Sequence, residues 1–321
     1  MLTAYTYYEP EEQSRIQASM KRSELFGREV EIAREYTKKH LDNKVYVEVC
    51  PICMKKCAKI FFDKWGITYY RCEECYSIVA GVSEEDAEGY ESLPKLREFY
   101  ASEEYQSEGE RVRETRWEEI IDWISFRSFR YNGVNERLRI IDYGNRWNAF
   151  VDKIRESNLC GEYIGLYQDG DTSVRDNSAD VVMAFDYIQR KMNPRDFFQS
   201  TYGILKSKGL LFLGIKAGSG MDVLLLKDKN PNVFPYEHVL MPSREGIYNM
   251  LEDIGYEVLE YTTPGMFDVN FVTEHVDDIP DEDYFIKYLL QSGTPQTIAE
   301  LQRFIQKAGM SSYAQVVARK K

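Results

Sequence analysis

The spacing of apolar positions changes period along the chain, and the changes divide it. From Glu11 to Lys39 good helix formers carry a sparse stripe: Ile16, Met20, Leu25 or Phe26, Val30, Ile32 and Tyr36. Residues 1–44 therefore read as a charged helical segment, either packed on the body or used to bind a partner or a second copy of the chain. Residues 45–80 alternate instead, at Val45, Val47 and Val49 and again at Ile67 and Tyr69, as short hairpin strands do. Residues 81–135 hold Gly81, Ser83-Glu84-Glu85-Asp86 and Gly89, a linker composition. A helix over Arg111–Arg130 follows, with Val112, Trp117, Ile120, Ile121, Ile124 and Phe129 on its buried side and Asn132-Gly133 ending it.

The remainder, 136–321, alternates short apolar runs with amphipathic stretches. Arg139–Asp142 reads as a strand and Trp147–Ser157 as a helix. Glu162–Tyr167 and Ala179–Phe185 are further strands, the second so continuously apolar that both of its faces must be covered. Pro194–Leu205 is a helix with proline in its first turn, and Gly209–Ile215 a central strand. Ser243 caps a helix that runs to Ile254, Gly255 stops it, and Tyr256–Tyr261 is a strand. Tyr313–Arg319 has strand composition and is placed as the last, antiparallel strand, after a mostly helical insertion over about 264–311. Strands alternating with helices predict an α/β fold, a Rossmann-like, mostly parallel doubly wound sheet.

Composition narrows the function classes. A net charge of −12 over 321 residues opposes a broad nucleic-acid footprint and docking on an anionic membrane. No run is long enough to span a bilayer, and Met1–Pro10 has no signal-peptide pattern, so a cytoplasmic location is expected. Of six cysteines, four form two Cys-x-x-Cys pairs, Cys50/Cys53 and Cys72/Cys75. Two such knuckles fold four thiolates toward one point, a closed tetrahedral set with no open position. A structural zinc ribbon is expected, with Cys57 as a competing ligand.

The strand–turn–helix from Leu138 to Phe150 resembles the first cofactor loop of class I S-adenosylmethionine-dependent methyltransferases. Asp176–Asp186, the run Leu205–Phe212, Pro235-Tyr236-Glu237-His238 and Gly255–Val258 resemble later segments of that family. The zinc ribbon, followed by Tyr100 and Tyr105, is similar to its members in bacterial sugar and polysaccharide clusters. The resemblance implies a S-adenosylmethionine site at Asp142, Tyr143, Gly144, Trp147, Tyr167, Asp169 and Asp186, with Arg190 and Tyr236 beside a small polar acceptor, such as a sugar or nucleotide-linked sugar. His238, whose ordinary pKa lies near neutrality, is the candidate general base.

The pattern departs from the family at the same pocket. Arg146 and Asn148 stand where loop glycines are expected, and Tyr167 replaces the ribose-binding acid. The interval from Tyr167 to Ala179 is short, and Gln189-Arg190 replaces a Glu-His pair. Three readings follow: a methyltransferase, a non-catalytic methyltransferase-like scaffold or binding subunit with a closed cofactor site, and a protein whose altered pocket takes another ligand.

Overall fold

In the computed structural model, residues 24–56, 58–134, 137–166 and 174–321 are described, without the side chains of 58 and 108–116. Helix α1 is Glu24–Lys39. Strands β1 (Ala58–Lys64), β2 (Ile67–Cys72) and β3 (Ile78–Ala80) follow, then helices α2 (Glu84–Glu91), α3 (Pro94–Ala101) and α4 (Glu103–Asn132). The α/β body comprises β4 (Leu138–Tyr143), α5 (Asn148–Glu156), β5 (Cys160–Leu166), β6 (Ala179–Phe185), α6 (Pro194–Ile204), β7 (Leu205–Lys216) and α7 (Met221–Leu226). It continues with β8 (Leu240–Met241), α8 (Arg244–Ile254), β9 (Tyr256–Thr262), α9 (Asp268–Glu274), α10 (Tyr284–Ser292), α11 (Pro295–Ala308) and β10 (Tyr313–Lys320).

Six strands form the main sheet in the order β5-β4-β6-β7-β10-β9. β4 pairs in parallel with β5 and β6, and β6 with β7, while β10 runs antiparallel between β7 and β9. This is the Rossmann-like arrangement expected, with its antiparallel last strand. The two-residue period of the strands divides the core. Ile141, Tyr143, Val182, Leu211 and Val316 face Phe197 and Phe198 of α6 and Ile247 and Met250 of α8. Ile140, Val181, Met183, Phe212 and Val317 face Trp117 and Ile124 of α4 and Phe150 and Ile154 of α5. Phe129, placed on the buried side of α4 by its spacing, is instead 57% exposed near the helix's C-terminal end.

The ribbon differs from its expected layout. Val45–Val49 forms only an isolated bridge, Val49 to Lys56, and the hairpin lies between the knuckles as β1 and β2. Its two-residue turn is Trp65-Gly66, with φ of 54° and 86°, a left-handed pair that favours glycine. The sheet continues through β3 to β8, a strand supplied by the α/β body. The segment after the ribbon is helical as well. Ser83 caps α2 by accepting a hydrogen bond from the Asp86 amide, so the acidic run that suggested a linker is a helix start. The glycine-containing loop 217–220 is tied down: Gly218 N–H donates to the Pro242 carbonyl at 2.9 Å.

Candidate functional site

In open α/β sheets, ligands bind at the carboxyl ends of the strands where the winding reverses. Here that point lies between β4 and β6. Asp142, near the end of β4, is 1% exposed and accepts a hydrogen bond from the Tyr163 hydroxyl at 2.5 Å. Burial raises its pKa to about 7, against the lowering effect of the Tyr163 hydroxyl. Gly144 turns the chain at φ 76°. A β-carbon there would overlap the Tyr187 ring and come within 3.2 Å of an Arg190 guanidinium nitrogen. Tyr187, 1% exposed, packs on Tyr143 and Phe197. The space above the turn is thus held by residues of the segment that follows β6.

The two non-glycine positions of the loop have different fates. Asn148 is exposed and opens α5. Arg146 turns inward, its guanidinium lying 3.9 Å over the Tyr100 ring. It pairs with Glu29 of α1 at 3.1 Å and Glu237 at 3.2 Å, and donates to the Tyr100 hydroxyl. Tyr100 also donates to Glu29 at 2.5 Å and Glu237 at 3.1 Å. Glu237 is 5% exposed and, despite burial, is held down to about 2, chiefly by Arg146 with help from Arg190 and His238. One guanidinium therefore joins the N-terminal helix, the segment after the ribbon and the loop before β8. Trp147 stacks on Tyr105 at 4.4 Å between ring centroids. Tyr100 and Tyr105 thus meet the two residues at the centre of the loop, a role their sequence positions did not disclose.

The remaining candidates are dispersed. His238 sits beside Phe234, whose amide donates to its Nδ1 at 3.4 Å. Burial, with Lys216 nearby, lowers its pKa to about 4, so the ring is neutral at pH 7. Lys216 itself pairs with buried Asp222 at 2.6 Å. Tyr236 is 1% exposed and packs edge-on against Tyr36 at 4.9 Å, a core position rather than the wall of an open site. Its φ of 69° shows that the backbone bends to seat it there. Asp186 is exposed at the end of β6, with φ 53°. Arg190 is 7% exposed and pairs with Glu91 of α2 at 3.5 Å. Tyr167 and Asp169 lie outside the described residues, as does Cys57.

The four knuckle cysteines do converge. Their sulfurs all lie within 4.8 Å of one another, with Cys50–Cys75 at 3.7 Å and Cys53–Cys72 at 3.6 Å. The sulfur–sulfur edge of a tetrahedral site built on zinc–sulfur bonds of ~2.3 Å is roughly 3.8 Å, so the donor set fits a closed four-thiolate centre. Each knuckle closes in the same way. Met54 N–H donates to Cys50 O at 2.8 Å and Tyr76 N–H to Cys72 O at 3.0 Å. Both residues following the second cysteine take φ near +60°, namely Met54 at 60° and Tyr76 at 61°. The second knuckle is also bonded to the body: the Ser243 hydroxyl, which caps α8, donates to the Cys75 carbonyl.

No protein-family model and no curated protein sequence matches the chain. Among solved structures, it is similar to a S-adenosylmethionine-dependent methyltransferase from Mesorhizobium loti, at 13% identity over 62% of this chain and 98% of that one, with a TM-score of 0.35. It is also similar to the [4+2]-cyclase SpnF, at 15% identity over 62% and 80% of the two chains, TM-score 0.36. A third is phosphoethanolamine N-methyltransferase 2 of Haemonchus contortus, at 15% identity over 60% and 51%, TM-score 0.35.

Proposed function

We propose that this is a methyltransferase-fold protein whose cofactor crevice is closed by its own side chains, acting as a binding or scaffold subunit with a structural zinc. The observation that carries this reading is the filled turn: Tyr187 and Arg190 take the space over Gly144 that a ligand would enter. Arg146 supports it, because its three polar partners hold it in the interior on the neighbouring side of the loop. The ribbon's exposed Tyr46, Met54 and Ile60 offer an apolar surface for a partner.

A second reading, transfer of a methyl group to a small polar acceptor such as a sugar, draws on one specific observation. Asp142 and the left-handed Gly144 are retained at the end of β4. Isothermal titration of zinc-loaded protein with S-adenosylmethionine and S-adenosylhomocysteine separates the two. Absence of heat at millimolar ligand is the expected result. Saturable binding that disappears in Asp142→Ala would overturn the scaffold reading in favour of the enzyme.

A further inference from the structure

A cleft of about 330 Å³ opens between α2 and the start of α6, beside the carboxyl ends of β4 and β6. That is the lower end of the ~300–1,000 Å³ typical of small-ligand sites. Its lining has three chemically distinct parts. Tyr143 and Phe197, each 5% exposed, supply an aromatic floor. Arg190 and Lys191 supply cations, both paired with Glu91, at 3.5 Å and 2.7 Å; the Arg190 side chain is 7% exposed and its Nε makes no hydrogen bond. Glu84, Glu88 and Asp196 supply a carboxylate rim. Glu84 and Glu88 stand one helical turn apart on α2, and among the described residues neither makes an ion pair.

Each part selects a different portion of a ligand. A buried guanidinium with an unspent N–H favours a carboxylate, which accepts strong charge-assisted hydrogen bonds. Uncompensated carboxylates at the rim favour an ammonium group. Such a rim would repel a simple anion, and the buried Arg190 would oppose a simple amine. An aromatic floor stabilises an apolar side chain, and an ammonium lying over a ring adds to it. We propose that the cleft binds a small amino-acid zwitterion with an apolar side chain, its carboxylate toward Arg190 and its ammonium toward the Glu84–Glu88 rim. This goes beyond the closed-crevice reading and stands apart from it, because the cleft lies on the α2–α6 side of Arg190.

The test uses zinc-loaded full-length protein and three matched probes in isothermal titration: L-phenylalanine, phenethylamine and 3-phenylpropanoate. Saturable binding of L-phenylalanine is expected, with both half-analogues weaker by about tenfold or more, the usual cost of losing one charged hydrogen bond. Arg190→Gln should weaken L-phenylalanine by a similar factor. Because Arg190 also packs on the Gly144 turn, the Glu84→Gln/Glu88→Gln pair on the exposed face of α2 is the second variant. It should weaken binding without moving the melting temperature. No binding of L-phenylalanine at millimolar concentration, equal binding of all three probes, or undiminished binding to the α2 pair would each overturn the proposal. S-adenosylmethionine titrated alongside keeps the two readings distinguishable: its binding without L-phenylalanine would defeat both, and binding of both ligands would defeat only the closed crevice.

Discussion

Arg146 occupies a loop position that its pattern assigns to glycine, and its surroundings explain how so large a cation is tolerated. The charge is compensated by Glu29 and Glu237, and its face is covered by Tyr100. Breaking a buried ion pair from one side leaves the partner charges uncompensated and typically costs roughly 3–5 kcal/mol. Arg146→Ala should therefore lower unfolding free energy by about that amount in denaturant titration, far more than an exposed arginine would. Asp142 contributes in the opposite sense. Its folded pKa is raised to about 7 by burial, so between the ordinary carboxylate range and neutrality the unfolded chain releases a proton that the folded chain keeps. Its contribution to stability therefore falls as pH rises through that window and stays low above it. Asp142→Asn keeps an acceptor for Tyr163 and removes the ionisation. It should be more stable than the parent at pH 8, with the difference shrinking toward pH 4; a pH series of melting temperatures checks this. None of these environments was legible at the residue itself. The partners of Arg146 lie 117 and 91 residues away in sequence, so only the fold brings them together.

Among the elements, those with a strong period were legible and those set by local geometry were not. β6 has the bounds expected from its apolar run, and α8 starts and stops at the Ser243 and Gly255 signals. The ribbon hairpin was misplaced because Ala58–Lys64 shows no clean alternation, while Val45–Val49 shows one without acquiring a partner strand. The deciding signal was the Trp65-Gly66 turn. The segment from Glu84 to Ala101 looked like a linker because capping residues and loop residues are the same chemical types; Ser83 with Asp86 three positions on is a helix start. The two serine caps differ in what they hold. Ser83 satisfies its own helix and bonds the Asp86 carboxylate. Ser243 satisfies the Gly246 amide and also binds the Cys75 carbonyl and meets Ser77. Removing either cap should cost about 1 kcal/mol through its helix. Ser243→Ala should in addition speed zinc loss to a competing chelator, whereas Ser83→Ala should leave that rate unchanged.

For the molecule as a whole, the ribbon and the α/β body share one interior. Cys50, Ile52, Cys72 and Cys75 lie in the same apolar cluster as Ile247, Met250 and Leu240, and β3 pairs with β8. Metal analysis should find about one zinc per chain, as a four-thiolate site requires. Stripping it should lower a single unfolding transition seen both by tryptophan fluorescence, whose reporters are spread over both parts, and by calorimetry. Two separated transitions would show that the ribbon melts alone. The pairing of Ile78 and Val79 of β3 with Met241 and Leu240 of β8 sets a condition on the order in which the chain is made. On the ribosome, the knuckles and the hairpin emerge long before residue 240, so the β3 edge stays open while most of the protein is still being synthesised. An open strand edge invites pairing with other nascent chains. The two-residue strand that closes it makes completion of the N-terminal module dependent on the last third of the polypeptide.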